Sequence, residues 1–237
     1  MNSNNITEKV TAIITAAGKG TRMNSRISKQ YLEIGGIPVL ARTISAFESC
    51  SEVDNIIIVV NEDDINFCKH EIVEKFNFMK VISLVSGGAE RQNSVYKGLC
   101  SIREENGVVL IHDGARPFVT NENIVDCINA TREYGACGIG VRSKDTIKIS
   151  DENGFVQSTP DRSRLWSIQT PQGFMYDIIK NAHDKAVQNG YMGTDDMVLV
   201  EKLGIPVKIV EGSYQNIKIT TPEDLIMGES LLSSGKW

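Results

Sequence analysis

The sequence predicts an α/β fold built on a mostly parallel, doubly wound sheet. Two observations carry that expectation. Short runs such as VTAIITAA (Val10–Ala17) and NIIIVV (Asn55–Val60) are apolar almost throughout, as strands buried on both faces are. Between such runs lie longer stretches with apolar residues at helical spacing, which suit helices covering both faces of the sheet. The length of 237 residues and the 41% hydrophobic content fit one compact domain over 1–237 with a small appendage.

Val10–Ala17 is β-branched and runs into a glycine, so it predicts a buried strand feeding a loop. Pro38 stands at the first turn of a helix whose Leu40, Ile44 and Phe47 share a face. Asn55–Val60 is a second strand, and Asp63–Phe76 a surface helix with Ile65, Ile72, Val73 and Phe76 among its charges. A third strand at Val81–Val85 leads to a helix over Arg91–Glu104, marked by Val95, Leu99 and Ile102. Val108–Ile111 is a fourth strand and Ile124–Tyr134 another helix. Near Ser143 the rhythm breaks. Two β-like pieces, Thr146–Ser150 and Phe155–Ser158, flank Asp151-Glu152-Asn153-Gly154, where Asn-Gly predicts a hairpin. Pairing with a second subunit would satisfy the hairpin's edges. Helices over Met175–Asn189 and Asp195–Leu203, a strand at Val207–Val210, an extended Asn216–Thr220 and a helix opened by Pro222-Glu223-Asp224 complete the chain.

A parallel sheet binds ligands at the carboxyl ends of its strands, so the loops there hold the functional information. The loop AAGKGTRM (Ala16–Met23) follows the first strand. Gly18 and Gly20 let backbone N–H groups approach an anion, and Arg22 adds a planar cation. Lys29, in KQYL, comes within reach if the loop folds back. An ordinary strand-to-helix turn accounts for the same residues, and the spacing is neither that of a P-loop nor the dinucleotide fingerprint. After the third strand, SGGAERQNSV offers Gly87, Gly88 and Ser94, or equally a turn and a helix cap. The fourth strand ends in IHDGARP. There Asp113 suits Mg²⁺ or a substrate hydroxyl and Arg116 a phosphate, with an Arg–Asp structural pair as the alternative. Later polar candidates are Thr146, Arg162, Thr170 and Lys218, and spacing gives little reason to prefer Lys218 to Lys208. Asp195 and Asp196 either cap the following helix or orient basic residues, and the cap is the favoured reading.

Composition narrows the field. The net charge is −5 without a Lys/Arg run, so no nucleic-acid footprint is expected. Five cysteines without CxxC spacing point to neither a disulfide framework nor a zinc site. The polar start MNSNNITEK is not a signal peptide and no apolar run has membrane-spanning length, so a cytoplasmic protein is expected.

AAGKGTRM, KQYL, GGAERQNSV, HDGARP, DTIK, LWSIQTPQGF, TDD and NIKIT occur in one order, from about Val10 to Leu232. As a set they resemble the 2-C-methyl-D-erythritol 4-phosphate cytidylyltransferases of the non-mevalonate isoprenoid pathway. The resemblance implies a nucleotidyltransferase-type fold with a protruding β-hairpin arm, 143–168, that interlocks a homodimer. It implies that CTP lies against Ala16, Ala17, Gly18, Gly20, Arg22, Lys29, Gly88 and Ser94. The second substrate, a polyol phosphate, would meet Asp113, Arg116, Thr146, Arg162, Thr170 and Lys218. Arg22, Lys29, Arg162 and Lys218 would be catalytic. Mg²⁺ or another divalent cation would be held mostly by the CTP phosphates, near Asp113. Arg162 and Thr170 lie on or beside the arm, where they would serve the neighbouring subunit. Ala89 departs from the pattern, since some members of the family carry an acid there.

The chemistry implied is attack of a phosphate oxygen on the α-phosphorus of CTP, with pyrophosphate leaving. The nucleophile is already anionic, so positioning and charge neutralisation replace a general base. The alternatives are a ribitol 5-phosphate cytidylyltransferase, favoured less because DTIK, LWSIQTPQ and TDD look like the methylerythritol versions, and a non-catalytic nucleotide-binding regulatory protein, which would be expected to lack Arg22, Lys29 or Asp113. A nicotinamide dehydrogenase is disfavoured by the glycine spacing.

Overall fold

The computed structural model describes residues 8–18, 29–103 and 106–235. Its frame is a seven-stranded sheet. Its strands are β1 (Lys9–Ala16), β4 (Asn55–Val60), β5 (Val81–Ser86), β6 (Gly107–Asp113), β7 (Ala136–Arg142), β10 (Trp166–Met175) and β11 (Lys208–Glu211), in the spatial order β11-β7-β10-β6-β1-β4-β5. β1 runs parallel to β4 and β6, β4 to β5, and β7 to β11; β10 alone is antiparallel to its neighbours.

Burial on both faces explains the apolar runs. Along β1, Ala12 and Ile14 turn to one face and Ile13 to the other; along β4, Ile56, Ile58 and Val60 oppose Ile57 and Val59. The first face is covered by α1 (Val39–Ser49), through Leu40, Ile44 and Phe47, and by α4 (Asn121–Tyr134), through Ile124, Cys127 and Ile128. The second is covered by α3 (Arg91–Cys100), α5 (Tyr176–Gln188) and α6 (Asp196–Glu201), with Leu99, Ile179 and Val200 fully buried. A third cluster joins Ile34 of β2 (Glu33–Ile34), which pairs with β3 (Ile37–Pro38), to Leu225 and Leu231 of α7 (Pro222–Ser233). No helix among the described residues is long and apolar enough to cross a membrane.

Three readings from the sequence need correction. The surface helix over Asp63–Phe76 is composite: a 3-10 turn at Glu62–Asp64, α2 (Ile65–Phe67) and a π-helical stretch at Cys68–Glu74. The hairpin forms but is shorter than its sequence pieces, with β8 (Ile149–Ser150) paired to β9 (Val156–Ser158). Asp151 Oδ1 accepts from the Asn153 and Phe155 N–H groups at 3.0 and 2.9 Å, and Gly154 takes a φ of 85°. The excursion carrying it lies between Arg142 and Trp166, which already pair across β7 and β10, so the expected span 143–168 runs into β10 at its end. Finally, β7 and β10 were not foreseen as strands. ACGIGVR holds two glycines, and WSIQTPQGFM holds Pro171, Gly173 and three buried polar residues, so neither has the apolar signature.

Gly173 shows how closely β10 is seated under α4. A methyl group there would run into Thr131 Oγ1 and lie 3.0 Å from Cys127 Sγ and 3.2 Å from Leu110 Cδ2. Gly173→Ala is therefore expected to lower stability by about 1–3 kcal/mol, read as an earlier urea midpoint; an unchanged midpoint would refute this seating.

Candidate active site

The carboxyl ends of β1, β4, β5 and β6 converge on a cleft of about 800 Å³. Ala16, Ala17 and Gly18 enter it from β1, Asn61 from β4, Gly88 to Arg91 from the loop after β5, and Asp113 from β6. The two glycine loops touch: a methyl on Gly87 would collide with Ala17 Cβ and crowd Ser94 Oγ at 3.0 Å. Ser94, buried on α3, accepts the Gly88 N–H at 3.0 Å and donates to Glu90 O at 3.1 Å, which fixes that loop's course. Ala89 also stands in the wall. Gln30, in the 3-10 turn Lys29–Tyr31, also lines the cleft. Gly20, Arg22 and the Lys29 side chain lie outside the described residues.

At the floor of the cleft one carboxylate meets three cations. Lys218 Nζ lies 2.8 Å from Asp113 Oδ2 and Arg116 Nε 3.5 Å from the same oxygen, while Arg91 Nε donates to Oδ1 at 3.1 Å. Burial pushes the Asp113 carboxyl up, but Arg91, Lys218 and Arg116 outweigh it and hold the group well below the usual carboxylate range. Lys218 is brought here because the segment around it runs beside the β6 loop: Ile219 N–H donates to Ala115 O at 2.8 Å, and Arg116 Nη1 to Asn216 O at 2.8 Å. Lys208 is elsewhere, with its ammonium 5.1 Å from the Tyr134 ring centre.

Beneath Asp113 lies a layer of satisfied polar groups. Thr170 Oγ1 accepts the Asp113 N–H at 3.1 Å and sits 3.0 Å from His112 Nδ1, and His112 Nε2 is 3.2 Å from Arg116 O. Burial lowers the His112 pKa to about 3, so the ring is held neutral. Thr170 is 4% exposed and engaged on both sides, so the structure places it under Asp113 rather than in the cleft wall. Thr146 and Arg162 are exposed in the excursion from the main sheet, Arg162 Nη1 donating to Lys144 O at 2.9 Å, and neither lines this chain's cleft.

Sequence reading missed Arg91 and half of the Asp195–Asp196 pair. Asp195 does cap α6, accepting from Val198 N–H at 3.0 Å. Asp196 instead orients a base: its Oδ2 takes Arg91 Nη1 at 2.6 Å and its Oδ1 faces His183 Nε2 at 3.1 Å. Burial raises its carboxyl, and Arg91 and the His183 hydrogen bond pull it below the usual range. The only signal for Arg91 was its place at the helix start after paired glycines; its partners are 22 and 105 residues away.

Among the described residues no group of three or more His, Cys, Asp or Glu side chains could hold a metal. Among the described residues the cleft has two carboxylates, Glu90, which caps α3, and Asp113. Such a donor set fits a hard cation that arrives with phosphate oxygens and adds at most one or two carboxylates, not one caged by protein.

A family model described as 2-C-methyl-D-erythritol 4-phosphate cytidylyltransferase matches residues 10–234. A protein of that name from Caldanaerobacter subterraneus subsp. tengcongensis is 49% identical over 223 residues, covering 94% of this chain and 98% of the relative. Another from Clostridium acetobutylicum is 51% identical, covering 93% and 96%. The crystal structure of 4-diphosphocytidyl-2C-methyl-D-erythritol synthase from Anaerococcus prevotii superposes with a TM-score of 0.86 at 38% identity, over 95% of this chain and 96% of that one.

Because folding lowers the Asp113 pKa, its contribution to stability is complete above the unfolded carboxylate value, about pH 4. It fades as pH falls from there toward the folded value. Asp113→Asn removes that contribution. Urea unfolding at neutral pH and at about pH 3 should show the gap between wild type and variant narrowing on acidification. A gap independent of pH would contradict the proposed charge cluster.

Proposed function

We propose a division of labour for this cleft, since the chain belongs to the 2-C-methyl-D-erythritol 4-phosphate cytidylyltransferase family. It transfers a cytidylyl group from CTP to 2-C-methyl-D-erythritol 4-phosphate in isoprenoid precursor biosynthesis, and 4-diphosphocytidyl-2-C-methyl-D-erythritol and pyrophosphate are the products. The observation that carries the assignment of residues is the ring of Arg91, Arg116 and Lys218 around Asp113, opening on the two glycine loops.

In our reading the triphosphate lies along the backbone of Ala16, Ala17, Gly18 and Gly20, where N–H groups close to the chain meet its oxygens. Gly88 and Ser94 shape the nucleoside end. Arg116 and Lys218 hold the polyol phosphate, and Asp113 accepts from its hydroxyl groups. A phosphate oxygen attacks the α-phosphorus and forms the new P–O bond as the bond to pyrophosphate breaks; no proton transfer is needed. Arg22 and Lys29 neutralise the charge that moves onto the leaving group. A divalent cation such as Mg²⁺, bound by the phosphates with Asp113 or Glu90 beside it, would screen charge between the two anions.

The homodimer is part of the same proposal. Ile147, Ile149, Phe155 and Val156 on and beside the hairpin are 42–73% exposed, and a two-stranded ribbon is marginal alone. A second copy would cover them and carry Arg162 and Thr146 toward the neighbour's cleft. A cytoplasmic location accords with five free thiols, including Cys127 and Cys137 with sulfurs 3.5 Å apart.

Pyrophosphate release with CTP, Mg²⁺ and each polyol phosphate in turn tests the substrate. The specificity constant for methylerythritol phosphate is expected to exceed that for ribitol 5-phosphate by at least about tenfold; equality or reversal would favour the ribitol alternative.

Complementation tests the shared site. Arg162→Ala and Lys29→Ala chains are each expected to lose about 10² or more in turnover. Mixed with proven subunit exchange, they form dimers with one doubly defective and one intact site, so activity returns to a sizeable fraction of wild type. No rescue would mean that Arg162 serves its own subunit.

A further inference from the structure

We propose that Asp196 is a positioning residue for cytidylyl transfer: it holds Arg91 in the pose that sets Asp113 for the polyol phosphate. The proposal rests on the reading that Asp113 meets that substrate.

Asp196 is 1% exposed and cannot touch a ligand itself. Three elements lock it in place. Its own N–H donates to Gln172 Oε1 of β10 at 3.2 Å, its Oδ1 faces His183 Nε2 of α5 at 3.1 Å, and its Oδ2 receives Arg91 Nη1 at 2.6 Å. Arg91 opens α3 on the cleft wall with its side chain 30% exposed. Its guanidinium is rigid and planar, so fixing Nη1 against Asp196 dictates where Nε points. Nε points at Asp113 Oδ1, 3.1 Å away. The carboxylate is thus held from one side by Arg91 and from the other by Lys218 and Arg116.

A purely structural role explains these contacts less well. Asp195 already caps α6, so the Asp196 carboxylate is not needed for that helix. A buried ion pair is also weak support for a fold, because desolvation offsets its attraction. What the pair does supply is direction. Without the Asp196 charge, Arg91 is free to turn wholly onto Asp113, drawing the carboxylate toward α3 and away from the substrate.

The experiment uses the full-length enzyme with Asp196→Asn, Asp113→Asn and the double variant, measuring kcat, both KM values and the thermal midpoint. Asp196→Asn is expected to raise KM for methylerythritol phosphate by about tenfold or more, with KM for CTP within about twofold. Asp113→Asn raises the same constant, and the double variant resembles Asp113→Asn alone because both act through one carboxylate. Unchanged KM values with kcat reduced only as the folded fraction falls would overturn the proposal, as would multiplicative effects in the double variant. If Asp196→Asn does not fold, Arg91→Lys takes its place: it keeps the charge but cannot fork between two carboxylates, and unchanged KM values there count against the proposal equally. The single Asp113→Asn variant separates the two levels. If it leaves KM for methylerythritol phosphate unchanged, the underlying reading fails and the proposal with it. If it raises that constant and Asp196→Asn does not, only the proposal fails.

Discussion

A buried carboxylate at the end of β6 is the constraint around which this molecule is arranged. Asp113 is 7% exposed, and a charge in that position is tolerated only if opposite charges and hydrogen-bond donors surround it. The opposite charges come from distant parts of the chain: Arg91 from α3, Arg116 from the turn after β6 and Lys218 from the segment before α7, while Thr170 Oγ1 of β10 accepts the Asp113 backbone N–H. Each requires its element to be at the same sheet edge. The parallel order β6-β1-β4-β5 delivers that, because it brings the carboxyl ends of those strands together.

The antiparallel strand β10 does a different job. Gln169, Thr170 and Gln172 are buried polar residues in a strand whose neighbours are almost wholly apolar, and each is satisfied. Gln169 donates to Ser213 O at 2.9 Å, Thr170 supports Asp113 and His112, and Gln172 binds Asp195 and the Asp196 N–H. Asn216 Nδ2 donates back to Thr170 O at 2.9 Å. One strand thereby joins the loop holding Lys218, the start of α6 and the end of β6. A hydrogen-bonded polar network inside a low-dielectric core fixes geometry more sharply than apolar packing, which tolerates sliding.

Those facts also decide what could be read from the sequence. β1, β4 and β6 and their helices were legible because burial on two faces writes itself into consecutive residues, β5 because its run stays apolar although it is an edge strand with Ile82 exposed, and the glycine loops because they follow those strands. β7 and β10 were not. Gly138 and Gly140 replace bulk in β7, and the side chains that qualify β10 as a strand find their partners 23 to 58 residues away. Asp113 and Arg116 emerged as candidates from their place at the end of a strand, Lys218 from the family resemblance, and geometry then separated Lys218 from Lys208. Arg91 stayed hidden because its partners lie 22 and 105 residues away, and for Asp196 the cap was preferred to the orienting alternative because an aspartate at a helix start is ordinarily a cap.

The same cluster shows how a chain of net charge −5 still gathers three cations at one place. Arg91 is tied to Asp196 as well as Asp113, and Arg116 to Asn216 O as well as Asp113, so moving either strands a second buried group. Lys218 differs. Its ammonium rests on Asp113 Oδ2, and its side chain is 36% exposed, against 30% for Arg91 and 13% for Arg116. Of the three cations, Lys218 is therefore the one that can turn outward with least loss of buried contacts. When it does, Asp113 keeps two anchored arginines, Arg91 on Oδ1 and Arg116 Nε 3.5 Å from Oδ2.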